Sequence, residues 1–495
     1  MSNQPRDPQL FVLTAAAARE AIGVVRAVLD GEGHVLGYSE YPHLSWFDSG
    51  FPHLSTRRYP EIKEYSDAFR YQPGAKDSER VMFGELASFL ALQNYCLGHE
   101  RIRNRFAHGR SSEHAREKLM KISSDLLARQ LMERFLHLHV DAEPSDELLL
   151  PIYLPLEAPI IADELEFDIL VPIVLTHFPE IDTEKITDSL SLRKLNEDEH
   201  LARWPTGTRI TESVNELVLS AATHAFVFTG HKVTADDWAH RWTNAIEDLP
   251  WSSIDLAFDV LRVVTGFRTG YAQLVYQPKG WVDGYVATLP PLIHGPLVRR
   301  YPEAFENWGW IRQRPSVDRD KLPQVTETLR VLSGDPRLQL AARRFSESFL
   351  RRNEDDAVVD LCTCLEVLLT DDSKTEVLHK LRFRAAAVVA THWPGVDPEV
   401  VFDAVSVVYA LRSRLLHGTT STNQAKAEAK TEELRKVKWG SGEERTLDIA
   451  RWIAQSVLQW TVARGQLVPA TEIDRDLILN ALAQSPTPPD QQDPS

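Results

Sequence analysis

A seven-residue phrase occurs twice in the chain, as RNRFAHG at Arg103–Gly109 and as RSRLLHG at Arg412–Gly418. In each, an arginine and a polar residue precede a histidine that stands beside a helix-ending glycine. These residue types suit proton and charge handling. An imidazole with an ordinary pKa of about 6.5 exchanges a proton near neutrality, and a guanidinium holds developing negative charge without titrating. The spacing by itself carries little, because a chain with this content of arginine and histidine gives about one Arg-x4-His match by chance.

Context adds more for the second copy. With Arg412 at zero on a helix of about 100° per residue, Ala404, Val408, Leu411 and Leu415 form an apolar stripe near 290°, whereas Ser413 and His417 lie near 100° and 140°. Phe402, Val405 and Tyr409 make a second apolar strip near about 50° that leads towards Ser413. A helix apolar on two sides is usually sandwiched, here between its own bundle and a second subunit. A plainer reading stands beside this one: Arg412 and Arg414 complement the helix dipole, His417 caps terminal carbonyls and Gly418 is a left-handed stop.

Other chemistries lack their signatures. The sequence has no GxxxxGK[ST], no GxGxxG opening a helix, no HExxH, no GxSxG and no Cys/His cluster at metal spacing, so no metal and no cofactor is expected. Cys362 and Cys364 lie two apart in an apolar helical stretch and read as buried small hydrophobes; with Cys96 they are too few for a disulfide framework. The amino terminus, MSNQPRDPQ, lacks the layout of a signal peptide, and no apolar run approaches the ~18 residues of a membrane span. A cytoplasmic protein with no membrane partner is expected.

The elements that must position these residues follow from length and pattern. The 495 residues, 43% hydrophobic and 25% charged, suit a globular protein of several units. The net charge of −16 argues at first against a nucleic-acid partner, but residues 141–334 alone carry −13, against +3 for 79–140 and zero for 335–468. Helical spacing marks Leu10–Leu29, after which a loop dense in Pro, His and aromatics is expected, and two helices joined at His108–Gly109. LLLPIYLPL, FDILVPIVLTHF, HAFVFTGH and YAQLVYQ read as β-like runs, and the text from there to about Val317 as packed loops. From Asp335 five helical segments have acidic starts, the last two separated by an Ala/Lys/Glu-rich insert that reads as an exposed helix or a flexible loop.

The bundle resembles a known family, the HEPN ribonucleases, and within it the bacterial Apea-like HEPN proteins. SFLRRNEDDAVVDLCTCLEVLL, HKLRFRAAAV and VVYALRSRLLHG carry the resemblance in order, over about residues 335–465. FDILVPIVLTHFPEIDTEKITDSLSLRKLNEDE and FDVLRVVTGFRTG look like the region that often precedes this bundle, while residues 1–150 match nothing. The resemblance implies metal-independent endoribonuclease activity, in which a ribose 2′-OH attacks the adjacent phosphodiester and leaves a cyclic phosphate. It implies His417 as general acid/base, Arg412 as transition-state stabiliser and Ser413 orienting one of them, with support from Glu366 (positioning Arg412 through a bidentate pair), Arg414 and Tyr409. A homodimer would supply two copies of the motif to one cleft, RNA being the partner. Arg103, Asn104 and His108 would then belong to a degenerate second half pairing within the chain, as in the type VI CRISPR nucleases, or to a helix terminus without catalytic meaning.

The expected architecture is mainly α and multidomain: a mainly helical region over 1–145, an acidic α+β domain over 146–330 that receives a protein trigger, a HEPN bundle over 335–468 and a disordered tail over 469–495. The expected setting is bacterial anti-phage defence or growth arrest. The competing expectation is a non-catalytic HEPN scaffold that dimerises and binds a partner protein or a nucleotide-bearing ligand.

Overall fold

A computed structural model describes residues 4–31, 35–69, 81–107, 112–205, 214–239, 249–313, 315–371, 376–417 and 424–476. The chain is 58% helix and 19% strand, with a six-stranded antiparallel sheet at its centre, so the mainly α class expected above is corrected to mixed α/β, though mainly helical. Among the described residues no helix is long and apolar enough to cross a membrane.

The amino-terminal part contains α1 (Pro8–Asp30), strands β1 (Gly37–Trp46) and β2 (Pro52–Lys63), then α2 (Ala87–Gly98), α3 (Glu100–Phe106), α4 (Glu113–Leu138) and α5 (Asp146–Ile161). Asp7 caps α1 by accepting from Leu10 N–H at 3.0 Å, and Ala15, Ala17, Ala18 and Ala21, all fully buried, leave little bulk between α1 and its neighbours α2 and α4. The text after α1, expected to be loop, is an antiparallel hairpin. Its strands were hidden because they face half-solvent with mixed polar and aromatic residues, so no clean alternation marks them. The hairpin seats on the sheet, where Phe51 stacks on His177 at 3.9 Å and Thr56 Oγ1 accepts from the Trp204 indole at 3.1 Å.

LLLPIYLPL is another correction: it lies in a helix. Leu149, Ile152, Tyr153, Leu156 and Ile160 are buried at helical spacing, and α5 carries Pro151, Pro155 and Pro159 one turn apart. A proline cannot bond the carbonyl four residues back. The Pro155 carbonyl, which Pro159 leaves free, accepts from Val282 N–H at 3.0 Å, and Arg105 closes the helix by donating to the carbonyls of Pro159 at 3.3 Å and Ala162 at 3.1 Å. Because α5 packs in the amino-terminal core while the hairpin packs on the sheet, packing does not divide at residues 145/146.

The middle part contains β3 (Glu164–Val174), β4 (Thr183–Lys185), β5 (Leu190–Lys194), α6 (Glu197–Ala202), α7 (Glu216–Ser220), β6 (Ala222–Thr234), α8 (Ala235–Ala239), α9 (Trp251–Thr265), β7 (Tyr271–Pro278), β8 (Ile293–Arg300) and α10 (Leu322–Ser333). The sheet runs β4-β5-β6-β3-β7-β8, every neighbour antiparallel. β8 falls in text expected to be packed loop; all eight of its residues are half-buried, which erases the alternation a strand normally shows.

The bundle comprises α11 (Pro336–Leu350), α12 (Glu354–Leu369), α13 (Val377–His392), α14 (Pro398–His417), α15 (Gln424–Leu434), the hairpin β9 (Lys436–Trp439) and β10 (Gly442–Arg445), and α16 (Thr446–Ala463). Helices α11, α12, α13, α14 and α16 occupy the five periodic segments, and the insert holds both a helix and a hairpin. Residues 470–476, within the expected disordered tail, are helical and docked: Ile473 is buried and Asp474 pairs with Arg384 at 2.7 Å. The rest of that tail, 477–495, lies outside the described residues.

Sheet and bundle share one hydrophobic core through α9. Its Phe258 packs edge-on against Phe226 of β6 at 5.3 Å, and α9 also contacts α10, α11 and α16. Arg300 on β8 bridges Asp255 of α9 at 2.9 Å and Glu347 of α11 at 3.2 Å. Truncating Phe258→Ala should cost about 3–5 kcal/mol. Urea unfolding followed by both circular dichroism and tryptophan fluorescence should show sheet and bundle shifting together in one transition.

Arg203, just after α6, is the largest fully buried side chain among the described residues, and it meets neutral acceptors: the carbonyls of Leu219 at 2.8 Å and Ser220 at 2.6 Å, Gln273 Oε1 at 2.9 Å and His200 Nδ1 at 3.3 Å. Burial, with Arg203 and His224 beside it, pushes the His200 imidazole down to about 2. The unfolded chain protonates this histidine below its ordinary value and the folded chain does not, so its contribution is intact above about pH 6.5 and is lost as the pH falls below it, at about 1.4 kcal/mol per unit. His200→Asn, which keeps an acceptor for Arg203 without titrating, should flatten the fall in melting temperature between pH 7 and 5.5. An unchanged slope would remove His200 as its cause.

Candidate functional site

The site begins with α12 and α14, packed side by side. Asn353 caps α12 by accepting from Asp355 N–H at 2.9 Å, and Asp397 does the same for α14 through Glu399 N–H at 2.9 Å. Ala404, Val408 and Leu411 are buried, with Leu415 half-buried beside them, so the stripe on α14 fixes which way the helix faces. The second strip is partly covered by α13: Phe402 meets Phe383 at 4.8 Å between ring centres and carries the Arg382 guanidinium at 4.4 Å. Cys362 and Cys364 are buried beneath, and burial pushes the Cys362 thiol up to about 12, so it stays protonated at neutral pH.

This orientation brings Arg412 to Glu366 across the two helices, Nη2 to Oε1, at 3.6 Å. The contact is one ion pair outside hydrogen-bond range, not the bidentate pair expected from the sequence. Tyr409, one turn back, places its ring 5.4 Å from the same guanidinium, and the Arg412 Nε is buried without a hydrogen-bond partner among the described residues. Ser413 is half-buried on the next position of the helix. His417 is the last residue of α14; its side chain lies outside the described residues. Arg414 is turned to another task, its Nε donating to Thr431 of α15 at 3.3 Å.

The first copy of the phrase sits on α3, a seven-residue helix in the amino-terminal core. Its middle arginine, Arg105, ends α5 as described and pairs with Asp236 at 3.2 Å, a structural use that the sequence pattern concealed. Arg103 is half-buried, Asn104 is exposed, and His108 lies outside the described residues. Helix α3 packs in the amino-terminal core and α14 in the core shared by sheet and bundle. Arg344 of α11 and Arg351 at its end both bond the buried Asp360 of α12, at 2.9 and 2.6 Å.

No group of three or more His, Cys, Asp and Glu side chains that could hold a metal occurs among the described residues. The chain matches no protein-family model, no curated protein and no solved structure.

The chemical capacity of the site is a fixed cation, held between a carboxylate and an aromatic ring, on a helix whose last residue is a histidine. Since Arg412 and Glu366 keep 22% and 24% of their side-chain surface, their mutual attraction is screened. A double-mutant cycle with Arg412→Gln and Glu366→Gln in urea denaturation should give a coupling below about 1 kcal/mol. A larger coupling would make the pair a structural clamp.

Proposed function

We propose that the bundle is a HEPN-type, metal-independent endoribonuclease whose site lies at the carboxy-terminal end of α14. The observation that carries this reading is the convergence of Glu366, Tyr409 and Arg412 from two helices at the end where α14 reaches His417. An arginine so held can stabilise charge on a pentavalent phosphorus without titrating, and Glu366 limits its rotation while leaving other guanidinium nitrogens available. His417 would take the proton of the attacking 2′-OH or give one to the leaving oxygen; one imidazole cannot do both at once, so a second copy of the chain supplies the second.

The half-exposed apolar residues Phe383 and Leu416, 48% and 50% accessible, lie on α13 and at the end of α14, and a homodimer through this face would cover them. A trigger acting on the sheet would reach the bundle through the shared core around α9. The same exposed residues would equally serve a non-catalytic dimerisation module, which is the competing reading.

The test is cleavage of mixed transfer and structured RNAs in excess EDTA. Wild-type protein should leave 2′,3′-cyclic phosphate ends, and folded His417→Ala and Arg412→Ala should each lose at least about 100-fold in rate. Glu366→Gln should lose less. Cleavage that survives in His417→Ala would sink this assignment, and a dimer without cleavage by wild type under any trigger would favour the module.

A further inference from the structure

A second concentration of charge lies where the sheet meets the other end of the bundle. A cavity of about 230 Å³ is lined by Arg268, Arg351, Arg352, Arg445 and Arg451. Two carboxylates, Glu303 and Glu354, share the lining. The arginines come from four segments far apart in sequence: the turn after α9, the end of α11, the end of β10 and the second turn of α16.

Four of the five are already committed. Arg351 bonds Asp360 at 2.6 Å, Arg352 pairs with Glu303 at 3.6 Å, Arg445 bonds Glu354, and Arg451 faces Asp448 at 3.5 Å. Arg268 is exposed and meets no carboxylate among the described residues. Arg451 forms the floor: its side chain is 15% accessible, lies over the Phe349 ring at 4.8 Å and donates to both oxygens of Ser348. Burial, and to a lesser extent Arg268 and Arg445, hold it down to about 10 against the opposing pull of Asp448 and Glu354.

Crowded guanidinium groups around a small concavity suit an oxyanion, which several of them can grip through paired N–H donors. The volume is below the roughly 300–1,000 Å³ of sites that enclose whole drug-sized ligands, so the cavity holds an anionic group and leaves the remainder of its carrier outside.

We propose that this cavity is a binding site for a phosphate or diphosphate group of a small molecule. It is distinct from the site on α14: Glu354 and Glu366 lie at opposite ends of α12, about 18 Å apart along its axis. Because Arg268 and Glu303 belong to the sheet unit and the other arginines to the bundle, the bound anion tightens the junction between them, and its binding free energy appears as added stability.

The test is titration of the full chain with sodium diphosphate at constant ionic strength, read by calorimetry and by melting temperature. Arg268→Glu reverses the exposed cation that meets no carboxylate among the described residues, and Lys438→Glu on β9 makes the same charge change at another exposed position. Wild type and Lys438→Glu should bind with a Kd tighter than about 1 mM and melt higher with diphosphate, and Arg268→Glu should bind at least tenfold more weakly. Equal affinity in Arg268→Glu, or no binding by wild type at about 1 mM, overturns the proposal. A second arm uses a short RNA: binding weakened by Arg268→Glu but not displaced by diphosphate would make the cavity part of an RNA track and would also overturn it.

Discussion

Helix α9 has to be covered on both sides. From Ala257 to Val264 every residue is buried, including Asp259 and Arg262, so the helix has no solvent face along that run. A sheet can bury one side of such a helix and a bundle the other; neither alone suffices. The fusion of sheet and bundle into one core follows from this, and so does the placement of Arg300, whose two carboxylate partners stand on α9 and α11. The Gly266 turn that ends α9 has φ +69, and a side chain there would press on Gln455 of α16, so even the exit from the helix is shaped by the bundle.

That arrangement orders the rest. α11 and α16 are set by their contact with α9, α12 by α11 and α16, and α14 by α12 and α13. Arg412 and Glu366 are therefore positioned at the end of a chain of packed helices that begins at the sheet.

What was legible in the sequence divides by how much of a pattern solvent contact leaves behind. Helices α11, α12 and α14 begin at the capping residues Asp335, Asn353 and Asp397, so period and cap agree there, whereas α13 and α16 lack a side-chain cap and rest on their apolar period alone. β1, β2 and β8 are half-solvated along most of their length and carry no alternation to read. α5 looked like strand because prolines outweighed the spacing of its apolar residues. The facing of α14 could be read from two stripes, but no local pattern marks Glu366, 46 residues before Arg412, as the carboxylate nearest to it. Arg105, inside the first phrase, ends α5 and pairs with Asp236, a use that depends on residues 54 to 131 positions away and leaves no local pattern. The arginine cavity had no sequence signal at all, being assembled from residues between 268 and 451 that share no local pattern.

The three prolines of α5 also invert an ordinary rule of helix substitution. Replacing proline by alanine inside a helix normally helps, since it restores an N–H and its bond to the previous turn. At Pro159 the restored N–H would point at the Pro155 carbonyl, which already accepts from Val282. The helix would gain its internal bond only by making that oxygen serve two donors, one of them a tether from a segment 127 residues away. The interruptions in α5 thus make a helix behave like the edge of a sheet: it offers acceptors outward, and the regularity it gives up internally becomes attachment elsewhere.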